Sequence, residues 1–170
     1  MTKQFLASIT VLALVGFIVG VSVDAADTAD VTATVTAQLI SVSVLDGSVA
    51  YGILPVNTNQ DTVTLIDTQV VTNDGNVDVD LSVKSSDAVG GIAWNLAATN
   101  ASLDEFTHEF SSDDGGNYAG FNVDNITYAS LVTGVSPAGT QNLDLRIKTP
   151  ASVTDNALKT ITVTVLATAT

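Results

Sequence analysis

The densest set of hard oxygen donors in the chain is Asp113-Asp114-Gly-Gly-Asn117, with Asp124 a few residues on. Calcium takes about six to eight oxygens, usually with several carboxylates. Asp113, Asp114, Asn117 and Asp124 are therefore the candidate calcium ligands. The string lacks the EF-hand spacing, and it reads equally as a hairpin turn, since Asp and Asn bond their own backbone and Gly accepts positive φ. Covalent catalysis has little to draw on. There is no cysteine and a single histidine, His108. Alternation sets His108 inward between Phe106 and Phe110, away from the cleft in which a Ser–His–Asp base must work. Glu105 and Glu109 share an outward face about 13 Å apart, too far for a glycosidase pair. Thiolate-held zinc and iron–sulfur clusters are excluded. No glycine-rich phosphate loop joins a strand to a helix. A Lys–Asn isopeptide bond would need a buried lysine, whereas Lys84 and Lys148 alternate outward and Lys159 opens a strand. Asn100-Ala-Ser102 and Asn125-Ile-Thr127 are glycosylation sequons. The expectation is a non-enzyme, with no catalytic residues and no cofactor beyond calcium.

The elements that would position these residues are strands. Apolar and polar residues alternate with period two, the mark of a strand with one buried face. The pattern predicts strands over Val31–Ala37, Ile40–Val44, Val49–Leu54, Thr62–Ile66, Thr68–Thr72, Val77–Lys84, Ile92–Ala97, Glu105–Ser111, Thr127–Val132, Leu143–Ile147 and Ile161–Val165. Ile92, Trp94 and Leu96 share one face. Leu143, Leu145 and Ile147 point inward, with Asp144, Arg146 and Lys148 outward. Asp46-Gly47, Asn73-Asp-Gly-Asn76 and Ser112–Asn117 supply turns. About ten short strands in a chain of this length predict an all-β fold, a two-layer antiparallel β-sandwich of immunoglobulin-like or jelly-roll type.

Ahead of the strands, Lys3 and an apolar run from Phe5 to Val23 lead to Val23-Asp24-Ala25, the layout of an export signal. Residues 1–25 are read as a signal peptide, or, if retained, as a hydrophobic helix anchoring the chain to a membrane. Residues 26–170 are then one β-sandwich domain, secreted or held at the cell surface. The full chain carries 18 acidic and five basic side chains, a net charge of −13. Such a surface repels nucleic acid and anionic lipid. All acids except Glu105 and Glu109 are Asp, which suits turns more than helices.

Three stretches resemble known families. Ser41-Val-Ser-Val-Leu-Asp-Gly-Ser-Val-Ala-Tyr-Gly52 resembles the opening strands of bacterial surface β-sandwich domains. Thr72-Asn-Asp-Gly-Asn-Val-Asp-Val-Asp-Leu-Ser-Val83 resembles a hairpin of immunoglobulin-like cell-surface modules. Gly91-Ile-Ala-Trp-Asn-Leu96 is similar to the first Trp-x-Leu signature of the WxL surface proteins. Those proteins carry a second Trp-x-Leu near the C-terminus, whereas Trp94 is the only tryptophan here. What the resemblance implies is an envelope or extracellular β-sandwich among cell-envelope components.

The layout is also similar to that of donor-strand fibre subunits, the TasA-type biofilm fibres and archaeal bundling pili. This implies an N-terminal segment that inserts into a neighbour's sheet. The strand-competent arm 26–38 is the segment for such a homo-oligomer or fibre, unless Val31–Ala37 pairs within its own domain. The function expected is a structural protein of the envelope, self-assembling into a fibre or coat. The alternative is an adhesin-like module binding carbohydrate or calcium through loops such as Asn57–Asp61 or Ser112–Asn117.

Overall fold

A computed structural model describes residues 28–170. The proposed signal peptide, residues 1–25, and the first two residues of the arm lie outside the described residues. Residues 28–35 belong to one unit and Thr36–Thr170 to another. In the first, the described residues carry no strand; Val31 and Val35 are 92% and 96% exposed. The expected strand over Val31–Ala37, with one face buried in its own domain, is therefore not formed.

The second unit is all β apart from one helical turn. Its elements are β1 (Val42–Leu45), β2 (Asn59–Asp61), α1 (Thr62–Leu65), β3 (Gln69–Asn73), β4 (Val79–Ser85), β5 (Asn95–Leu96), β6 (Glu105–Ser111), β7 (Ala119–Gly120), β8 (Ala129–Val135), β9 (Thr140–Lys148) and β10 (Val163–Ala169). The larger sheet runs β1-β3-β9-β6-β5, with β2 also on β9 and β7 also on β6; the smaller runs β10-β4-β8. All pairs are antiparallel except β5 with β6, which is parallel.

The two sheets share one core. Val79, Leu81 and Val83 of β4 face Val71 of β3, Phe106 and Phe110 of β6, and Leu143, Leu145 and Ile147 of β9. These are the inward positions that the period-two pattern selects, because a one-residue slip would turn each of them to water.

Several expected strands are something else. Thr62–Ile66 is the helical turn α1, whose amide Thr64 N donates to the capping Asp61 Oδ1 at 2.7 Å. The short side-chain cap wins over the β propensity of Thr and Val, because it satisfies an amide that has no partner within the turn. Val49–Leu54 joins no ladder, although Val49, Tyr51 and Leu54 still pack against the core. Ile92–Ala97 shrinks to β5 and an isolated bridge between Trp94 and Ala88, and Ile92 is exposed. Asp144, expected outward, is fully buried. Its face of β9 is covered by the α1 segment: Thr62 and Thr68 donate their hydroxyls to Asp144 Oδ1 at 3.0 and 2.5 Å.

Candidate functional site

The expected calcium ligands are engaged in turns. Asp113 Oδ1 accepts from Ser111 Oγ at 2.5 Å and Asn117 N at 2.8 Å, while its Oδ2 accepts from Asn117 Nδ2 at 2.6 Å. Asp124 caps its own turn through Thr127 Oγ1 and the amides of Ile126 and Thr127. Asp114 Oδ1 accepts from Asn142 Nδ2. The structure thus brings Asp113 and Asn117 together and ties Asp124 into a separate turn. The hydroxyl of Ser111, then the Asn117 groups, hold the Asp113 carboxyl down to about 2. The Thr127 hydroxyl and nearby amides do the same for Asp124. Among the described residues no three His, Cys, Asp or Glu side chains converge as a metal group would require.

His108 does point inward, and is 3% exposed. Its Nδ1 lies 2.7 Å from Ser85 Oγ and its Nε2 3.3 Å from the Tyr51 hydroxyl. Burial pushes its pKa down to about 3, so the ring is neutral. Ser85 is as buried as the ring, whose second nitrogen meets the Tyr51 hydroxyl and not a carboxylate. Glu109 is paired with Arg146 at 2.6 Å, and Arg146 lies 4.1 Å over the ring of Tyr118. Lys159, against expectation, is buried to 6% side-chain exposure. Its ammonium donates to Asp155 Oδ1, Gly90 O and Ile92 O, clamping two loops beside Trp94. Of the sequons, Asn100 is buried, and its Nδ2 is spent on Asn57 Oδ1 and Thr149 O.

The feature open to a partner lies at one side of the two sheets. β1 ends the larger sheet and β10 ends the smaller. Between them opens a recess of about 440 Å³, walled by Val44, Val49, Val163 and Val165, with Tyr51 and His108 also lining it. A second recess of about 380 Å³ shares Tyr51, Lys159 and Ile161 with the first and reaches Trp94 and Leu54. Together they form a mainly apolar seam, with Gln69, Asp155 and Lys159 also on its lining.

Among the described residues the backbone on its walls is unpaired on one side. Thr170 N donates to Asp78 O, and the same register runs along β10 and β4. Even-numbered residues of β10 therefore bond β4, and Val163, Val165, Ala167 and Ala169 aim their N–H and C=O at the open edge. By the same reasoning, Asp74 N to Ser41 O leaves Val42 and Val44 facing outward from β1.

The root of the arm is fixed at one end of this seam. Asn76 N donates to Leu39 O, Asn76 Nδ2 to Ala37 O, and Leu39 N returns a bond to Asn76 Oδ1. Behind them, the buried Asn73 donates to Val77 O and Val135 O and accepts from Gly75 N. A Cβ on Gly75 would stand 2.4 Å from Leu39 O, so only glycine fits where the arm crosses the turn. β1 starts at this end, with Val42 opposite Asn73, and β10 finishes there, with Ala169 opposite Val79.

Sequence reasoning missed the seam because it depends on which strands end each sheet. The absence of charge from Ile161 to Thr170 was its only local signal. The chain matches no family model, no curated protein and no solved structure.

Proposed function

We propose that the protein is a non-catalytic structural subunit of the cell exterior, a two-layer β-sandwich that self-assembles through its N-terminal arm. The single observation that carries the reading is the pairing of two unmet needs. An alternating arm leaves Val31 and Val35 in water, and an apolar seam leaves strand edges unpaired. Strand addition would satisfy both through backbone hydrogen bonds, with alternate side chains filling the seam. The lone histidine is held by the neutral hydroxyls of Ser85 and Tyr51, which supports a role without catalysis. Export rests on the leader-like residues 1–25.

Removal of residues 26–38 tests the reading. The truncated chain should remain a folded monomer, while the intact mature chain forms polymers visible by electron microscopy and light scattering. A mature chain that stays monomeric at every concentration would sink it.

A further inference from the structure

We infer that the acceptor for the arm is the free edge of β10 in a second copy of this chain, with residues 31–37 of the donor lying in the seam as an added strand. This rests on the self-assembly reading above and names its partner surface.

The edges differ in a way that singles out β10. β10 pairs with β4 over seven residues with no register shift, while β8, at the far edge of the same sheet, pairs through two irregularities and carries Gly134 at φ 69. Bulges twist an edge away from further pairing. β1 offers only four residues and β7 two. Natural edges are usually blunted by charge or proline. From Val163 to Thr170 there is neither, nor from Val31 to Leu39. On a chain of net charge −13, these are surfaces on which two copies can meet without placing acid against acid.

The side chains also match. Val31, Ala33, Val35 and Ala37 form one face of the arm and the threonines between them the other. Val163, Val165 and Ala167 already turn toward the core, while Leu166 and Thr168 face solvent. A donor strand beside β10 continues this alternation, its small apolar face closing the seam against Val44 and Val49. The donor and acceptor runs are of equal length, seven residues each.

The experiment uses the mature chain with Ala167→Pro. This removes an outward N–H from β10 without touching its bonds to β4, and Val44→Pro does the same for β1. The expected result is loss of polymer from Ala167→Pro with the monomer still folded by circular dichroism, and polymer retained by Val44→Pro. The chain has no cysteine, so disulfide trapping adds a measurement that does not depend on tolerance of proline. Copies carrying Val31→Cys, Ala33→Cys or Val35→Cys are each mixed with copies carrying Val165→Cys. Facing cross-strand positions lie within disulfide reach, so at least one mixture should give a covalent heterodimer. If Ala167→Pro polymerises normally, or none of these mixtures traps a heterodimer while the unaltered chain polymerises, β10 is not the acceptor although arm-driven assembly stands. If the unaltered chain forms no polymer, the self-assembly reading fails and this inference with it.

Discussion

Ser85 Oγ sits 2.7 Å from Nδ1 of His108, between the two sheets and beside the aliphatic and aromatic cluster of the core. The ring is packed edge-on to Tyr51 and 5.0 Å from the centroid of Phe121. Among the described residues no acid is bonded to it, so no carboxylate there compensates a positive charge. The pair is a neutral polar brace across the two sheets, since Ser85 belongs to β4 and His108 to β6.

That brace makes stability depend on pH. Burial pushes His108 down to about 3 in the folded protein, against about 6.5 unfolded. Between these values the unfolded chain binds the extra proton. Stability is thus fully present above pH 6.5 and is lost as pH falls toward 3, with a limiting slope of about 1.4 kcal/mol per pH unit. Urea denaturation from pH 8 to pH 4 should show this slope, and His108→Gln should flatten it while lowering stability at pH 7. Asp113 and Asp124 titrate lower, with stability present above about 3.8 and lost as pH falls toward 2, outside this window.

Ile66 holds a left-handed conformation, φ 58, at the end of α1, and its side chain is almost wholly in water. A β-branched residue there costs about 1–2 kcal/mol relative to glycine. Ile66→Gly removes that strain and loses little burial, so thermal melting should rise. A fall would mean that Ile66 packs on something in solution.

Asp144 Oδ1 accepts the buried Thr62 hydroxyl and the half-buried Thr68 hydroxyl, and Thr62 Oγ1 in turn accepts from Leu145 N at 3.0 Å. Asp144→Ala strands both hydroxyls and should cost about 2–3 kcal/mol in chemical denaturation. Asp144→Asn retains an acceptor at Oδ1 and should lose less. Equal losses would show that charge, and not acceptance, is what the site requires.

The turns at Asp113 and Asp124 carry their own hydrogen bonds. Asp113→Ala and Asp124→Ala should each lower the melting temperature by the same amount in calcium as in chelator. A loss seen only when calcium is present would identify the carboxylates as its ligands.

Polymer growth should be faster at high salt. Each copy carries the same excess of acid, and a Debye length of about 10 Å at 0.1 M salt falls to about 3 Å at 1 M, while strand pairing between uncharged segments is unaffected. Light scattering across a sodium chloride series would measure it. Slower growth at high salt would mean that ion pairs join the subunits.

Much of the core was legible in the residues alone. Val79, Leu81 and Val83 and the run Leu143, Leu145, Ile147 alternate without interruption, and a strand with one buried face has no other way to place them. His108 followed from the same rule, flanked by Phe106 and Phe110. Where alternation ran through short polar stretches, it misled. Thr62–Ile66 alternates as well as any strand, yet Asp61 caps it into a helical turn. Asp144 sits at an outward position of β9 and is buried only because α1 folds back over it, a contact across 82 residues of chain.

Local pattern determined the all-β character, the inward faces of the main strands and the acidity of the surface, because each depends on residues that are neighbours along the chain. It also marked residues 31–37 as competent to form a strand. Which strands end each sheet, that a seam stays open between β1 and β10, and that Asp144 is covered by the α1 segment were decided by tertiary packing. Sheet order is set by pairing between distant segments, and the free energy of one pairing over another comes from a core that exists only once they have met.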